Sequence, residues 1–468
     1  KDIISDFRDT ISIFAANFKI GKMKITKRKI AWGVVLLILI VGGVICKKRW
    51  NVWFYNIPEI RYGLTEEPQR VFLTFGNDGE LSRNVSWMCG GVSKQAKLEY
   101  TKIGSGDTLL INGSSKFLRT LGGFGYANWA KFKDLSYGDS YSYRVWNDDR
   151  SSDWYSFTMQ PDSTDHFSFV FIGDVQDTLR GKTRDFMENV RHRYPQVDFY
   201  MFAGDFAERP MNCYWDEAYQ SVDSIAPTKP MLVSPGNHEY VKGLVRVLEK
   251  RFAYVFSYLL ESRYKNNNVY SIDYNDATII TLDSNRDPWF LFSQREWLEK
   301  TLKASKKKWK IVMLHHPVYS IKGKMNNLPV RWMFDGLFRE YGVDLVLQGH
   351  EHNYARMTNK NDEGEMTTPL YLVSHASPKS YRLAFNDKYD RFGTNRRFYQ
   401  HIDVTGDTLR MQAFLENDSL YDDVRIVKNA SGIQVIDNAQ DIPEILEKPV
   451  GLRGKKAEDF ERNAAKWR

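Results

Sequence analysis

The sequence predicts an α/β domain that follows a small all-β domain and an N-terminal apolar helix. Three observations indicate this order: an uncharged apolar run, then short strands without helical period, then buried-strand runs that alternate with amphipathic stretches. At 468 residues, with 42% apolar and 26% charged residues, the chain can form two domains with full cores. The net charge of +8 forms no basic stripe interleaved with aromatic residues. We therefore expect no nucleic-acid partner.

The apolar run covers residues 30–46 (IAWGVVLLILIVGGVIC) and is just long enough to cross a bilayer. Residues 1–29 form a basic segment before it. The excess of Lys and Arg in this segment favours an N-terminus inside the cell. A cleaved signal peptide is the alternative, because MKITKRK from Met23 would make a good n-region. Either way we expect an extracytoplasmic protein in the periplasm or at the cell surface, anchored in the membrane or secreted.

Residues 61–160 alternate short apolar runs with turn signals, from RVFLTF to DWYSFTM. This spacing predicts a small antiparallel β-sandwich. Cys89 lies in this part, whereas Cys213 lies in the next. An exported protein permits a disulfide between them, but their places in different domains favour two separate buried thiols.

Residues 165–416 carry the α/β pattern, and five strand-like runs there end on metal-ligand residues. The five endings are FIGD (Asp174), FAGD (Asp205), PGNH (Asn237, His238), LHH (His315) and GHEH (His350, His352). Ligand sites form beyond the carboxyl ends of strands, so these residues are expected to meet. Their hard oxygens and imidazole nitrogens suit Fe, Mn or Zn. Residues 417–468 should add an edge strand and a charged tail.

The order GDVQ, GDFAE, GNHE, VMLHH, GHEH resembles the calcineurin-like metallophosphoesterases, and within them the purple acid phosphatase branch. NVSW, SYSYRVW and the helix SQREWLEKTL extend the resemblance over most of the chain. It implies a metallophosphatase-type β-sandwich flanked by helices, preceded by a fibronectin-III-like domain.

The resemblance also implies a dinuclear centre bridged by Asp205. Metal one would take Asp174 and His352 as well, and metal two would take Asn237, His315 and His350. The two ions would be Fe, Mn or Zn. His238 would lie over the phosphate as an acid or electrostatic stabiliser, and Glu239 would orient it.

Two positions depart from the family pattern. Glu208 stands where the purple enzymes have a tyrosine, and Gln176 stands where non-purple relatives have a histidine. Without the tyrosinate we expect no purple charge-transfer colour, and an oxygen of Gln176 or Glu208, or water, would complete metal one. His316 is expected to support the ligands rather than to join them. Lys322 and Lys324 replace the family's substrate histidines, as phosphate-binding cations or as surface lysines without a role.

The function implied is hydrolysis of phosphate monoesters by a metal-bound hydroxide, with a small phosphorylated molecule as substrate. A phosphodiesterase with the same centre is the nearest alternative. A cell-surface binding protein that has lost activity is a third, and the oligomeric state stays open.

Overall fold

The structure is a computed structural model that describes residues 27–59, 63–91, 95–162, 164–260, 268–286, 288–323 and 327–467. These residues fall into two compact units. One unit runs to Asn56 and includes Lys242–Leu244, and the other consists of Ile57–Val241 and Val245–Arg468.

The first unit is dominated by helix α1, Lys27–Trp53. Its apolar side chains are exposed, so it is not a core helix of this unit. Residues 28–53 are long and apolar enough to cross a membrane by length and composition. The helix extends beyond the predicted run 30–46 because Lys47, Lys48 and Arg49 are good helix formers.

The second unit begins with nine strands. They are β1 Gln69–Phe75, β2 Arg83–Cys89, β3 Ala96–Lys102, β4 Thr108–Asn112, β5 Ser114–Thr120, β6 Gly123–Lys131, β7 Ser140–Asn147, β8 Arg150–Ser151 and β9 Tyr155–Thr158. One layer has the order β1-β2-β6-β5, and the other has β4-β3-β7-β8 with β9 also paired to β7. Trp87, Leu98 and Tyr143 fill the space between the layers. The predicted antiparallel β-sandwich is therefore confirmed.

The α/β part supplies the remaining elements. Its strands are β10 His166–Ile172, β11 Phe199–Phe202, β12 Met231–Val233, β13 Tyr240–Val241, β14 Val247–Leu248, β15 Tyr270–Tyr274, β16 Ala277–Thr281, β17 Trp309–Met313, β18 Leu345–Gln348, β19 Tyr354–Lys360, β20 Met366–Val373, β21 Arg391–Gly393, β22 Phe398–Thr405, β23 Thr408–Leu415, β24 Leu420–Asn429 and β25 Gly432–Asp437. Its helices are α2 Thr183–Arg193, α3 Asn212–Gln220, α4 Lys250–Val255, α5 Pro288–Ala304, α6 Leu328–Glu340 and α7 Lys455–Trp467, with 3₁₀ turns at Asn237–Glu239 and Ser257–Leu259.

Two large sheets pack face to face in this part. One has eleven strands in the order β25-β24-β23-β22-β10-β11-β12-β1-β2-β6-β5, and the other has seven in the order β15-β16-β17-β18-β20-β19-β21. Phe171 and Met201 of the first sheet share a core with Ile311 and Leu347 of the second. Helices α5 and α6 cover the outer face of the seven-stranded sheet. A β-sandwich flanked by helices was the predicted architecture.

The two parts of this unit share a sheet. β1 of the sandwich pairs in parallel with β12 of the α/β part, with Thr74 opposite Met231. The boundary that the sequence predicts near residue 160 therefore separates two folding patterns, although backbone pairing continues across them.

The C-terminal residues form more structure than expected. Instead of one edge strand, β24 and β25 both join the meander that starts at β22. The charged tail ends in α7, which buries Ala457, Phe460 and Ala464. These apolar residues recur at helical spacing within a charged sequence, so only a narrow stripe of the helix packs.

Both cysteines of the second unit are unpaired. Cys89 is a buried thiol, as expected, but Cys213 is only half-buried. Cys213 lies in the first turn of α3. The buried residues of this helix are Asn212, Trp215 and Ala218, so Cys213 lies beside its buried face rather than on it.

Candidate metal centre

The candidate ligands follow five parallel strands at their carboxyl ends. β10, β11 and β12 are neighbours in the eleven-stranded sheet, and Asp174, Asp205 and Asn237 follow them. β17 and β18 are neighbours in the facing sheet and are followed by His315 and by the pair His350 and His352. The two facing sheets thus bring all six residues to one edge, as the strand-end pattern predicts.

The backbone is strained at four of these six residues. Asp174, Asp205, His350 and His352 have φ angles of +42°, +47°, +71° and +48°, in the left-handed region. Such conformations cost free energy and persist where the surrounding structure imposes them, often at functional sites. Gly236 allows the close approach, because a Cβ there would lie 1.9 Å from the backbone nitrogen of Asp205.

One group of ligand atoms gathers around His315. Its Nε2 lies 3.2 Å from Oδ1 of Asn237, 3.2 Å from Nδ1 of His350 and 3.4 Å from Oδ2 of Asp205. Nδ1 of His315 lies 2.7 Å from the carbonyl oxygen of Ala203, so Nδ1 carries the proton and Nε2 presents a lone pair. These four residues are those expected for metal two.

The second group contains Asp174, His352 and again Asp205. Nε2 of His352 lies 3.4 Å from Oδ1 of Asp174, and its Nδ1 lies 3.2 Å from the carbonyl oxygen of Lys379. The other oxygen of Asp174 accepts a hydrogen bond from the backbone of His350. Asp205 therefore belongs to both groups, which is the position of a bridging carboxylate.

Burial dominates the electrostatics of the site. It raises the pKa of Asp174 to about 8, with the charge of Asp205 adding to the effect. It lowers the pKa of His352 to about 3 and that of His350 well below the usual value. For Asp205 burial would raise the pKa, but His315 and His238 outweigh it and the pKa falls to about 2. Neutral His350 and His352 are in the protonation state that metal binding requires, whereas Asp174 would have to release a proton when a metal binds.

The residues fit a pair of transition-metal ions. Ligand atoms held about 2.0–2.1 Å from one tetrahedral ion are themselves about 3.3–3.4 Å apart. The separations from His315 to its neighbours and from His352 to Asp174 match this spacing. Oδ1 of Asp174 is also buried and has no hydrogen-bond donor within the described part of the chain. Such an atom is costly unless a cation satisfies it.

His238 points its Nε2 toward the centre. Its Nδ1 lies 2.5 Å from the carbonyl oxygen of Glu208, and its Nε2 lies 3.8 Å from Oδ2 of Asp205. The ring therefore presents Nε2 toward the ligands, and a quarter of the side chain is exposed.

Glu239 has contacts that differ from the expected role of orienting His238. Its carboxylate accepts hydrogen bonds from the backbone N–H groups of Asp205, Ala207 and Gly236, at 3.0, 3.0 and 2.7 Å. It thus joins the loop after β11 to the loop after β12. Backbone Glu208, and not the Glu239 side chain, bonds to the His238 ring.

Gln176, Glu208 and His316 surround the ligands. Nε2 of Gln176 lies 3.5 Å from Oδ2 of Asp205. Glu208 forms an ion pair with Lys379, whose Nζ lies 2.6 and 2.7 Å from the two carboxylate oxygens. The His316 ring lies 4.2 Å from that of His350 and contacts Ser284 through Nδ1.

Lys322 and Tyr381 contact two of the candidate ligands. Nζ of Lys322 donates to the carbonyl oxygen of His350 at 3.1 Å and lies 4.0 Å from the centroid of the Tyr381 ring. The Tyr381 ring also stacks on the ring of His352, with the centroids 4.2 Å apart. Lys324 lies outside the described residues.

Two further residues at the site, Lys379 and Tyr381, have no sequence motif around them. Both lie in the loop 377–395, which has no motif and contributes no regular element before β21. The path of this irregular loop in the folded chain brings the two residues to the site. No local pattern in the sequence could therefore have predicted their position.

Two families match the chain. Residues 167–354 match the family described as calcineurin-like phosphoesterase, and residues 68–159 match the family described as purple acid phosphatase, N-terminal domain. The first range contains all six candidate ligands and the second coincides with β1–β9.

Curated relatives and solved structures agree with these matches. Phosphoenolpyruvate phosphatase from Allium cepa is 28% identical over 62% of this chain and 63% of its own length. Fe(3+)-Zn(2+) purple acid phosphatase 12 from Arabidopsis thaliana is 26% identical over 62% of this chain and 65% of its own length. The chain thus spans just under two thirds of these relatives.

The fold is shared with two solved structures. A purple acid phosphatase from yellow lupin (Lupinus luteus) seeds superposes with a TM-score of 0.66 at 17% identity, over 78% of this chain and 75% of that one. PhoD superposes with a TM-score of 0.59 at 13% identity, over 87% of this chain and 100% of that one. The chain therefore contains a region that matches the purple acid phosphatase N-terminal domain, followed by a region that matches the calcineurin-like phosphoesterases, and its homologues include purple acid phosphatases.

Proposed function

We propose that this protein is a metal-dependent phosphatase that hydrolyses phosphate monoesters at a dinuclear centre. The observation that carries the proposal is the position of Asp205, whose carboxylate belongs to both groups of metal-ligand side chains. Asp174 and His352 would hold metal one with Asp205, and Asn237, His315 and His350 would hold metal two. When bound, two such cations polarise the phosphoryl group and supply the hydrolytic nucleophile.

His238 is the residue proposed to move a proton. With Nδ1 committed to the carbonyl oxygen of Glu208, Nε2 is the atom available to a leaving oxygen. Glu239 acts indirectly, because it fixes the loops that carry Asp205 and Asn237.

Lys322 is the residue proposed to bind the phosphate. Its ammonium is held near the ligands by the carbonyl of His350 and the ring of Tyr381. A compact charge there favours the dianion of a monoester over the monoanion of a diester, since attraction grows with charge.

The proposed location is outside the cytoplasm, with α1 as a membrane anchor. We also propose that the β1–β9 sandwich is fibronectin-III-like, on the basis of its two-layer antiparallel topology.

Fractionation tests whether α1 is a membrane anchor: the intact chain should stay with membranes after a high-salt wash and be released by detergent. A soluble product that starts after Cys46 would show instead that α1 is a cleaved signal.

The activity is tested by hydrolysis of an aryl phosphate monoester after loading with Mn(II), Zn(II) or iron. Asp205→Asn should lower kcat at least about 10³-fold, since both metals lose a charged ligand. Asp78→Asn, at a residue whose side chain is 70% exposed, is the control and should keep wild-type activity. A fully loaded wild type without activity on monoesters or diesters would refute the proposal, and faster turnover of diesters would favour a phosphodiesterase.

A further inference from the structure

Gln176 has a buried side-chain oxygen to which none of the described residues donates a hydrogen bond. The residue is 1% exposed, and its Oε1 is without a partner among the described residues. Its amide nitrogen lies 3.5 Å from Oδ2 of Asp205, beyond the usual 2.7–3.2 Å range of an N–H···O bond. The side-chain amide of Gln176 therefore lies beside the carboxylate of Asp205, and its oxygen accepts no hydrogen bond from the described residues.

Glu208 is in a different situation, although the sequence makes it an equal candidate to complete metal one. Both of its carboxylate oxygens contact Nζ of Lys379, and its backbone oxygen contacts Nδ1 of His238. Its charge is thus matched by an ammonium that is itself only about one-third exposed. Coordination by Glu208 would leave Lys379 without its counter-ion.

From this contrast we infer that Oε1 of Gln176 is a ligand of metal one and that Glu208 is not. Either end of the amide can face Asp205 after rotation about the last side-chain bond, because the two ends have the same shape. With the oxygen turned inward, the donors to metal one would be three side-chain oxygens, from Asp174, Gln176 and Asp205, and one imidazole nitrogen, from His352. This inference rests on the proposed dinuclear centre.

The donor set has a consequence for the metal. A neutral amide oxygen adds no charge, so metal one keeps one full carboxylate and a share in another. A divalent ion such as Mn(II), Fe(II) or Zn(II) suits that charge, whereas ferric iron gains most from an anionic phenolate. The preference of metal one should therefore be for a divalent ion.

The test measures metal binding rather than turnover. Purified full-length protein is titrated with Mn(II), and the bound ions are counted by elemental analysis and followed by electron paramagnetic resonance of the coupled Mn(II) pair. Gln176→Leu keeps the size of the side chain but removes the oxygen, and should weaken one of the two ions about 10–100-fold and abolish the coupled signal. Gln176→Glu restores an oxygen and should retain both ions. Glu208→Gln should bind both ions as the wild type does.

The opposite outcomes overturn the inference. If Gln176→Leu keeps two ions with wild-type affinity, Gln176 is not a ligand. If Glu208→Gln loses an ion while Gln176→Leu does not, Glu208 takes that position. Failure of the proposed function looks different, because then the wild type itself would bind no metal pair or would be inactive when loaded.

Discussion

Lys322 is a partly buried lysine that contacts one of the candidate metal ligands. Burial lowers the pKa of its ammonium, and Glu351, Asp174 and Asp205 oppose that shift. Lys322→Met should raise KM for an aryl phosphate about tenfold, because one ion-pair contact is worth about 1.4 kcal/mol, while kcat changes less. Initial rates measured with parallel metal analysis check this. Lys388→Met, at an exposed lysine, is the control, and an unchanged KM would remove Lys322 from the substrate site.

Glu239 is the residue that ties two ligand loops together. Glu239→Leu has a similar size but leaves the N–H groups of Asp205, Ala207 and Gly236 buried without an acceptor. We expect the free energy of unfolding to fall by at least about 3 kcal/mol, since each unsatisfied group costs about 1–3 kcal/mol. Urea unfolding measures it, and Glu363→Leu in an exposed turn should change stability by less than about 0.5 kcal/mol.

At this scale the sequence predicted that the six candidate ligands would gather, because each of them follows a strand. Asp174, Asp205, Asn237, His315, His350 and His352 all lie where the strand pattern and motif order predict them. Lys379 and Tyr381 were missed because an irregular loop brings them in. The contacts of Glu239 differ from the expected role because its hydrogen-bond partners are backbone N–H groups, which a sequence motif does not indicate.

At the scale of elements, strand β22 and the end of helix α2 meet through a histidine. The His401 ring stacks on Tyr194 at 4.2 Å with the planes 7° apart. Burial lowers the pKa of His401 to about 4; His166 and Arg410 add to this shift and Asp403 opposes it. The folded chain thus keeps His401 neutral in a range where the unfolded chain, with a pKa of about 6.5, binds a proton.

Stability should therefore fall as the pH is lowered from about 6.5 to about 4, because the unfolded state binds more protons there. His401→Gln removes this contribution, so the wild-type advantage in unfolding free energy should be about 2 kcal/mol larger at pH 7.5 than at pH 4.5. Urea titrations at the two pH values measure the difference, with His192→Gln on the exposed face of α2 as control. Equal differences at both pH values would contradict the assignment.

Elements with a clear period were predicted reliably. The apolar run of α1 and the predicted helix SQREWLEKTL, which lies within α5, are strong local signals. The second C-terminal strand and the docking of α7 were not foreseen. Their polar sequences carry few apolar residues, and what stabilises them is the sheet or surface against which they pack.

At the scale of the whole molecule, a buried guanidinium connects the two large sheets. Arg356 of β19 donates through Nε to Asp422 of β24 at 2.8 Å and through Nη2 to Asp437 of β25 at 2.6 Å. Arg356→Met would remove the guanidinium that both carboxylates share and leave Asp422 with only Arg391, at 4.0 Å, as a cationic partner among the described residues, so we expect a loss of about 3–5 kcal/mol in unfolding free energy. Arg462→Met breaks an exposed pair with Asp459 and should cost at most about 1 kcal/mol. Similar losses for both variants would show that Arg356 is not structural in this way.

The pairing of β1 with β12 gives the N-terminal sandwich a protective role. If the catalytic part were expressed alone, β12 would become an edge strand with unpaired N–H and C=O groups, and this strand ends four residues before Asn237. Unprotected edges template pairing with other chains, so such a fragment is expected to aggregate rather than to lose only a binding module. The sandwich thus covers the edge of the sheet that carries three of the candidate metal ligands. We therefore expect loss of these few backbone contacts to lower both solubility and metal binding.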